Sequence, residues 1–528
     1  MEEESGTQTR ALLAIVLALV VIMGYQFFFA PKPQTPKKIV TAKKTVEKTA
    51  RTEKTIGETI PDVSSTERPE HNKGMLITVD TPLYSAVISS RGGTIKAWKL
   101  KDYKDDNGSD IVLTKKDPRI PPLAMGFGRN IDFKEIDFDV VSGKKNISLG
   151  KNRREGTLLL TFRKGSISIT RTFKFYADDY RVDIIDNVSG LKDYWITLGS
   201  GFGVAGTKGY RSHSGPVILK DADRIEIKPA KLKEPKSYTE GLRWVAQEDK
   251  YFFSALVPIE TPATGRVWRD GSGEVLVGLN VPGGKSRFLL YAGPKDHNRL
   301  KGYGVGLEYI IDFGFFSILA RPLFWILKFF YKIIGNYGWA IILLTIVVRI
   351  PFIPIVNKGQ KSMKKLQALQ PKMNEVRQKY KKDPQKMQKE MMELYKKYKV
   401  NPMSGCLPML IQIPVFFALY KVLLIAIELR GAPFIFWIHD LSEKDPYYIL
   451  PIVMGITMFV QQKMTPATGG NPQQQKFMQF MPIIFTFLFL SFPSGLVLYW
   501  LVSNLLSIAQ QFYVNRRLAK EAAEAASA

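Results

Sequence analysis

Six windows of about twenty mostly apolar residues, near 11–29, 338–357, 405–426, 447–462, 477–491 and 494–513, constrain this chain more than any other feature. A run of that length is what a helix needs to cross the hydrocarbon core of a bilayer. The expectation is an α-helical polytopic membrane protein with six transmembrane helices. The fourth and fifth windows are short, and "SFPSG" from Ser491 to Gly495 supplies a tight turn between the fifth and sixth. The first run could be a signal peptide, but bulky Phe28 stands where a small residue should precede cleavage after Ala30. Residues 1–30 therefore read as an uncleaved anchor.

Orientation follows from where lysine and arginine collect beside the spans. The dense basic block from Lys358 to Lys399 should be cytoplasmic. The segment from Glu428 to Asp445 is net acidic, the one holding Lys463 and Lys476 is basic, and a short tail, 516–528, begins with Arg516 and Arg517. These signs alternate as alternating sides require, so both termini are expected in the cytoplasm. Lys37, Lys38, Lys43 and Lys44 after the first span argue locally for the reverse against Arg10 alone, but several later loops outvote one flank.

Between the first two spans lies a large region expected outside the membrane. Residues 31–74, rich in Lys, Thr, Pro and Glu, read as a disordered tether. Residues 75–310 change to short alternating runs such as "SISITRTFKFY" and "YRVDIIDNV" between Gly, Asn and Asp turns, the pattern of an all-β, sandwich-like domain. Residues 311–335 follow, with Ser317, Arg321, Lys328 and Lys332 on one helical face. That amphipathic helix should lie in the membrane interface; a seventh span is the alternative, and would leave the outer domain and the basic block on the same side.

Arg349 is the anomaly inside the second span. It lies roughly 14 Å from either end at 1.5 Å per residue. A central arginine costs about 2.5–3.5 kcal/mol on insertion scales, and none of the six windows holds an Asp or Glu to pair with it. Snorkelling falls short without thinning the bilayer, so a water-filled or polar cavity is expected. Thr345 precedes Arg349 by one turn, Gln412 sits in the third span between Pro408 and Pro414, and Trp500, Asn504, Ser507 and Gln511 form a polar stripe in the sixth. Such a stripe can also serve as glue between helices. Phe and Met crowd spans three and five, as in "PVFFALY" and "FMPIIFTFLFL", which ordinary lipid-facing surface also explains.

The basic block, 360–400, reads as a hairpin of two helices. Leu366, Leu369, Met373, Val376 and Tyr380 repeat at three and four in one arm, and Met387, Met391, Leu394 and Tyr398 in the other. Asp383 supplies a cap and Pro384 the first helical position, while Pro371 falls within the first arm. Lys364, Lys365, Arg377, Lys381 and Lys382 carry much of its charge.

The net charge of +27 arrives without zinc-ligand spacing, phosphate loop or aromatic RNA-reading motif. Anionic lipids and ribosomal RNA are the expected partners, DNA is not, and no cofactor is expected. The single cysteine, Cys406, permits no internal disulfide.

"GWAIILLTIVVRIPFIPI", "NPMSGCLPMLIQIPVFFALYKVL" after the basic hairpin, and "FPSGLVLYWLVSNLLSIAQQ" resemble the membrane-insertase family that includes the mitochondrial oxidase-assembly and chloroplast thylakoid insertases. "RGGTIKAWKL" and "LLYAGPKD" resemble its Gram-negative form. The resemblance implies a periplasmic β-supersandwich and a five-helix insertase core, 336–515, enclosing a hydrophilic groove closed on the outside. It implies nascent membrane proteins as clients and the Sec translocon and ribosome as partners, in the inner membrane. Arg349, Gln412 and Trp500 are carried over as groove residues, and Thr345, Phe416 and Met454 as client-contacting positions; Phe487 and Phe489 in span five extend the expected client-helix surface. Only Arg516, Arg517 and Lys520 precede "EAAEAASA", so ribosome contact falls more to the hairpin.

Two other classes compete with an insertase. A transporter with a polar intramembrane cavity would usually show paired repeats and midplane carboxylates, and neither is visible. An enzyme in the outer domain would need a positioned acid and base, and only His71, His213, His297 and His439 exist in the chain.

Overall fold

Period-two alternation builds strands from Leu76 to Pro294. In Ile167–Tyr176, every second side chain from Ile169 to Phe175 is buried. This strand pairs with Arg181–Thr197, which pairs in turn with Val275–Pro294 across a bulge between Val188 and Asp193. These three lie in the middle of a twelve-stranded sheet. A five-stranded sheet places Asp110–Val112, Thr94–Lys104, Tyr84–Ser89, Leu76–Asp80 and Asn146–Ser148 side by side in that order. The two sheets share one core, in which Ile77, Val79 and Trp98 of the smaller pack with Leu158, Phe173 and Val182 of the larger. The domain is a β-sandwich. This computed structural model describes residues 74–528 apart from 106, 129–131, 142–144, 207–212, 399, 401–406, 465–471 and 528, so the expected anchor, its tether to Lys73, and Cys406 lie outside the described residues.

One buried ion pair ties the sheets together. Arg171 and Asp186 are both fully buried and meet through two parallel 2.8 Å hydrogen bonds. Arg171 Nη1 also donates to the carbonyls of Leu123 at 2.8 Å and Gly93 at 3.2 Å, and Tyr194 donates to Asp186. Gly93 lies in the turn between two strands of the smaller sheet, so one guanidinium spans the sandwich.

After a short helix, α1 (His297–Gly302), capped by Asp296, the chain becomes helical. The helices are α2 (Ser317–Ile334), α3 (Tyr337–Arg349), α4 (Ile353–Ala368), α5 (Gln370–Lys379), α6 (Pro384–Lys397), α7 (Leu407–Ile425), α8 (Ile449–Met464), α9 (Pro472–Phe489) and α10 (Ser494–Ser527). A 3-10 turn at Ile350–Phe352 joins α3 to α4 where Pro351 cannot donate the next helical bond. Among the described residues two stretches, Tyr337–Ala368 and Ser494–Lys520, are long and apolar enough to cross a membrane; α7, α8 and α9 contain shorter apolar segments. The last helix continues to Ser527, past the expected tail boundary, because its Ala- and Glu-rich end favours helix and contains no Gly or Pro.

On α2, Ala320, Leu323, Phe324 and Leu327 are buried, while Ile318, Trp325, Phe329 and Ile333 are exposed. Arg321 and Lys332 are also exposed, and Lys328 makes a 2.8 Å ion pair with Glu428. Close packing elsewhere depends on two glycines: a Cβ on Gly338 would lie 1.9 Å from the Phe434 ring, and one on Gly455 2.0 Å from Thr486 Oγ1.

Candidate functional site

The last residue of α3 points its side chain at α10. Arg349 Nη1 donates to the Ser503 carbonyl at 3.0 Å and to Ser503 Oγ at 3.3 Å; Nη2 donates to Ser507 Oγ at 2.7 Å and Gln510 Oε1 at 3.4 Å. Every acceptor is neutral, and among the described residues no carboxylate lies within 4 Å of the guanidinium. Arg349 Nε is buried with no partner among the described groups. The charge is thus solvated by dipoles rather than cancelled, an arrangement that leaves it able to attract an anion.

Polar contacts continue on either side of the arginine. Gln412 on α7 donates to Tyr499 Oη at 2.7 Å and to Ser503 Oγ at 3.1 Å. Gln510 donates to Asn357 Oδ1 at 2.7 Å and to the Ile353 carbonyl at 3.3 Å on α4. Lys364, further along α4, donates to the Asn515 carbonyl at 3.2 Å. A polar seam therefore runs from Gln412 past Arg349 to Asn357 and Lys364, between α10 on one side and α3, α4 and α7 on the other.

The expected stripe on α10 divides into two. Ser507 faces Arg349, but Asn504 donates to the Met454 carbonyl at 3.5 Å and Thr457 Oγ1 at 3.3 Å, and Gln511 donates to the Met464 carbonyl at 2.7 Å. Asn504 and Gln511 are buried and join α10 to α8, the role of polar glue. The seam instead uses Tyr499, Ser503, Ser507 and Gln510, a face at steps of four, four and three that sequence reasoning missed in Tyr499, Ser503 and Gln510, as it missed Asn357. The periodicity was available, offset by one residue from the stripe beginning at Trp500. Thr345 is buried at 3 % exposure and donates to the Ile341 carbonyl of its own helix at 2.7 Å, so its hydroxyl is not offered to the seam.

Trp500 joins an aromatic cluster. Its ring centroid lies 4.9 Å from Phe416, 5.2 Å from Phe489 and 5.8 Å from Phe485. Phe489 and Met454 are buried, at 1 % and 0 %, whereas Phe487 is 67 % exposed. Of the expected client-facing side chains, only Phe487 presents a free surface as the chain stands, and Phe416 is partly buried against the cluster. Beyond it, Asp445 accepts from Trp437 Nε1 at 3.0 Å and from the Leu450 amide at 2.7 Å, and the Ser494 amide and hydroxyl reach the Glu443 carbonyl. These bonds fasten the end of the helices nearest the β domain.

The basic hairpin forms from α4, α5 and α6. Leu366, Leu369, Met373 and Val400 make its small core, with Met391, Leu394 and Tyr398 packed on them. Asp383 accepts from the Lys386 amide at 3.0 Å and Pro384 opens α6, as the "KKDP" reading predicts. Leu369 breaks the first arm between α4 and α5, with Pro371 in the first turn of α5. Lys365, Lys381 and Lys382 are exposed, and Arg377 is half-buried.

Residues 76–326 match the family model for the YidC periplasmic domain, and residues 329–521 that for the 60Kd inner membrane protein. The membrane protein insertase YidC of Syntrophus aciditrophicus is 42% identical, over 96% of this chain and 99% of that one. The membrane protein insertase YidC of Geotalea daltonii is 38% identical, over 97% and 99%. A solved structure described as an active YidC insertase with the first transmembrane domain resolved aligns with 95% of this chain and 99% of its own, at TM-score 0.40 and 19% identity. With two models that together span most of the chain and relatives matched from end to end, the chain belongs to the YidC family of membrane protein insertases.

Proposed function

We propose that the seam around Arg349 is a hydrated groove, open toward the cytoplasm, that receives short tails of client membrane proteins on their way to the periplasm. The observation that carries this reading is a half-buried guanidinium held only by neutral acceptors, with Gln412 above it and Asn357, Gln510 and Lys364 leading away. On this reading Phe416, Trp500 and Phe489 close the groove toward the periplasm, and client helices leave for lipid along α7 and α9, past Phe487.

The membrane disposition follows the charge pattern: six spans, both termini cytoplasmic, residues 75–310 in the periplasm, 311–335 in the interface and 336–515 forming the insertase core. The exposed apolar stripe of α2, beside Arg321 and Lys332, supports the interfacial placement and contact with anionic lipids. Nascent chains arrive from the ribosome, alone or beside the Sec translocon, and the hairpin at 360–400 captures them because it combines positive charge with an apolar seam. No covalent chemistry is involved.

Proteoliposomes containing the purified chain should insert a short single-span client that empty liposomes do not. Deleting residues 370–397 should abolish that insertion while leaving the Arg349 seam folded. Normal insertion by the deletion variant would remove the hairpin from the mechanism.

A further inference from the structure

A second cleft lies away from the groove, where the β domain meets the end of α7. It encloses about 500 Å³, with Ile310, Ile311, Leu424 and Ile425 supplying its apolar wall. Its charged wall is unusually rich. Glu248 is fully engaged, since Arg224 and Lys295 share it, the latter at 2.7 Å. Asp249 is engaged too, accepting from the amides of Ala205, Tyr251 and Phe252. What remains is a set of groups with capacity to spare. Lys228 and Lys250 have no carboxylate within 4 Å among the described residues; Lys250 is 8 % exposed, its ammonium lies 4.3 Å from the Tyr251 ring centroid, and the more distant carboxylates of Glu443, Asp440 and Asp249 act on it. Glu226 is exposed and accepts a 2.6 Å bond from Arg224 through one oxygen, leaving the other; Asp312 accepts from the Gly314 amide through one oxygen and turns the other toward Lys421 on α7, 4.0 Å away.

We propose that this cleft binds the headgroup of an amine-bearing phospholipid from the outer leaflet, its phosphodiester taken by Lys228 and Lys250 and its ammonium by Glu226 and Asp312. Three features select that ligand. Lys421, Leu424 and Ile425 lie at the end of α7 that meets the β domain, and on the membrane disposition proposed above, on which this inference rests, that sets the cleft at headgroup level. The apolar wall suits the glycerol and upper acyl region. Interleaved cations and carboxylates suit a zwitterion, whereas a purely anionic headgroup would meet Glu226 and Asp312 unfavourably. Burial lowers the Lys250 amine below its ordinary value, and a bound phosphate would favour its charged form. The inference is independent of the groove: a chain lacking insertase activity could still hold the lipid.

The test is native mass spectrometry of the full-length chain in detergent, loaded in turn with palmitoyl-oleoyl phosphatidylethanolamine, phosphatidylglycerol and phosphatidylcholine. Phosphatidylethanolamine should be retained best. K228Q, at an exposed position that does not disturb folding, should weaken that retention about tenfold, the loss of one charge-assisted hydrogen bond, and K228Q/K250Q should weaken it further. Soluble glycerophosphoethanolamine should compete only in large excess. Equal retention by wild type and K228Q, phosphatidylglycerol held as well as phosphatidylethanolamine, or the soluble headgroup bound as tightly as the lipid would each overturn the proposal.

Discussion

Arg349→Leu should reduce insertion of a single-span client with an acidic tail about ten- to hundredfold, while Arg349→Lys should keep most of it. A carboxylate at mid-bilayer costs about 2.5–3.5 kcal/mol. Pairing with a guanidinium at 4 Å and an effective dielectric near 20 recovers roughly 4 kcal/mol, and water in the groove lessens both. A net loss of about 1.4–2.8 kcal/mol corresponds to the stated range. Leucine also strands the Ser503, Ser507 and Gln510 acceptors that the guanidinium now satisfies. Lysine keeps the charge but cannot reach several acceptors at once. An inside-negative potential near 100 mV adds about 2.3 kcal/mol of outward drive per negative charge, so basic tails should be refused in every variant. The measurement is protease protection of tails of graded charge in inverted vesicles. Equal insertion of every tail by all three proteins would reduce Arg349 to a hydrating or structural residue.

The second large effect belongs to the periplasmic domain. Asp186→Ala leaves Arg171 charged, fully buried and short of two hydrogen bonds, which should cost about 3–5 kcal/mol. For a domain of this size that is roughly 10 °C in melting temperature. Arg171→Met combined with Asp186→Leu removes the charge together with its partner and should recover most of the loss. Thermal proteolysis of the full chain reads the difference. A double variant as unstable as Asp186→Ala would mean that the packing and the backbone bonds to Gly93 and Leu123, not the ion pair, hold the sheets together.

What could be read from the sequence was whatever depends on local pattern. Alternation marks Ile167–Tyr176 as a strand with one buried face, and apolar length marks α3, α7, α8, α9 and the apolar part of α10 as helix. "KKDP" sets the start of α6 because a cap and an N-terminal proline act within one turn. Arg349 stood out because its cost is local. Its partners did not, since Ser503 and Gln510 become partners only once α10 has rotated against α3 and α4. Two polar faces on α10 differ by one residue, and a hydropathy pattern cannot say which meets the arginine and which meets α8. Arg171 and Asp186 were half-legible: alternation already sets Arg171 on the face of Ile169 and Phe173 and Asp186 on that of Ile184 and Val188, but only the pairing register, fifteen positions apart on adjacent strands, shows that the two charges meet. The lipid cleft was invisible to pattern, being assembled from separate segments of the β domain and one membrane helix.

The central claim is that water from the cytoplasm reaches Arg349. Single cysteines at 349, 412, 503 and 510, with Cys406 replaced, should react with a membrane-impermeant thiol reagent in inverted vesicles and stay unreactive when it is added to the periplasmic face of spheroplasts. Cysteine at 345 should label poorly from either side, because Thr345 is buried against its own helix. Reaction at 349, 412, 503 and 510 from the cytoplasmic side alone is the predicted result; no reaction at any of them, or equal reaction from both sides, would contradict it.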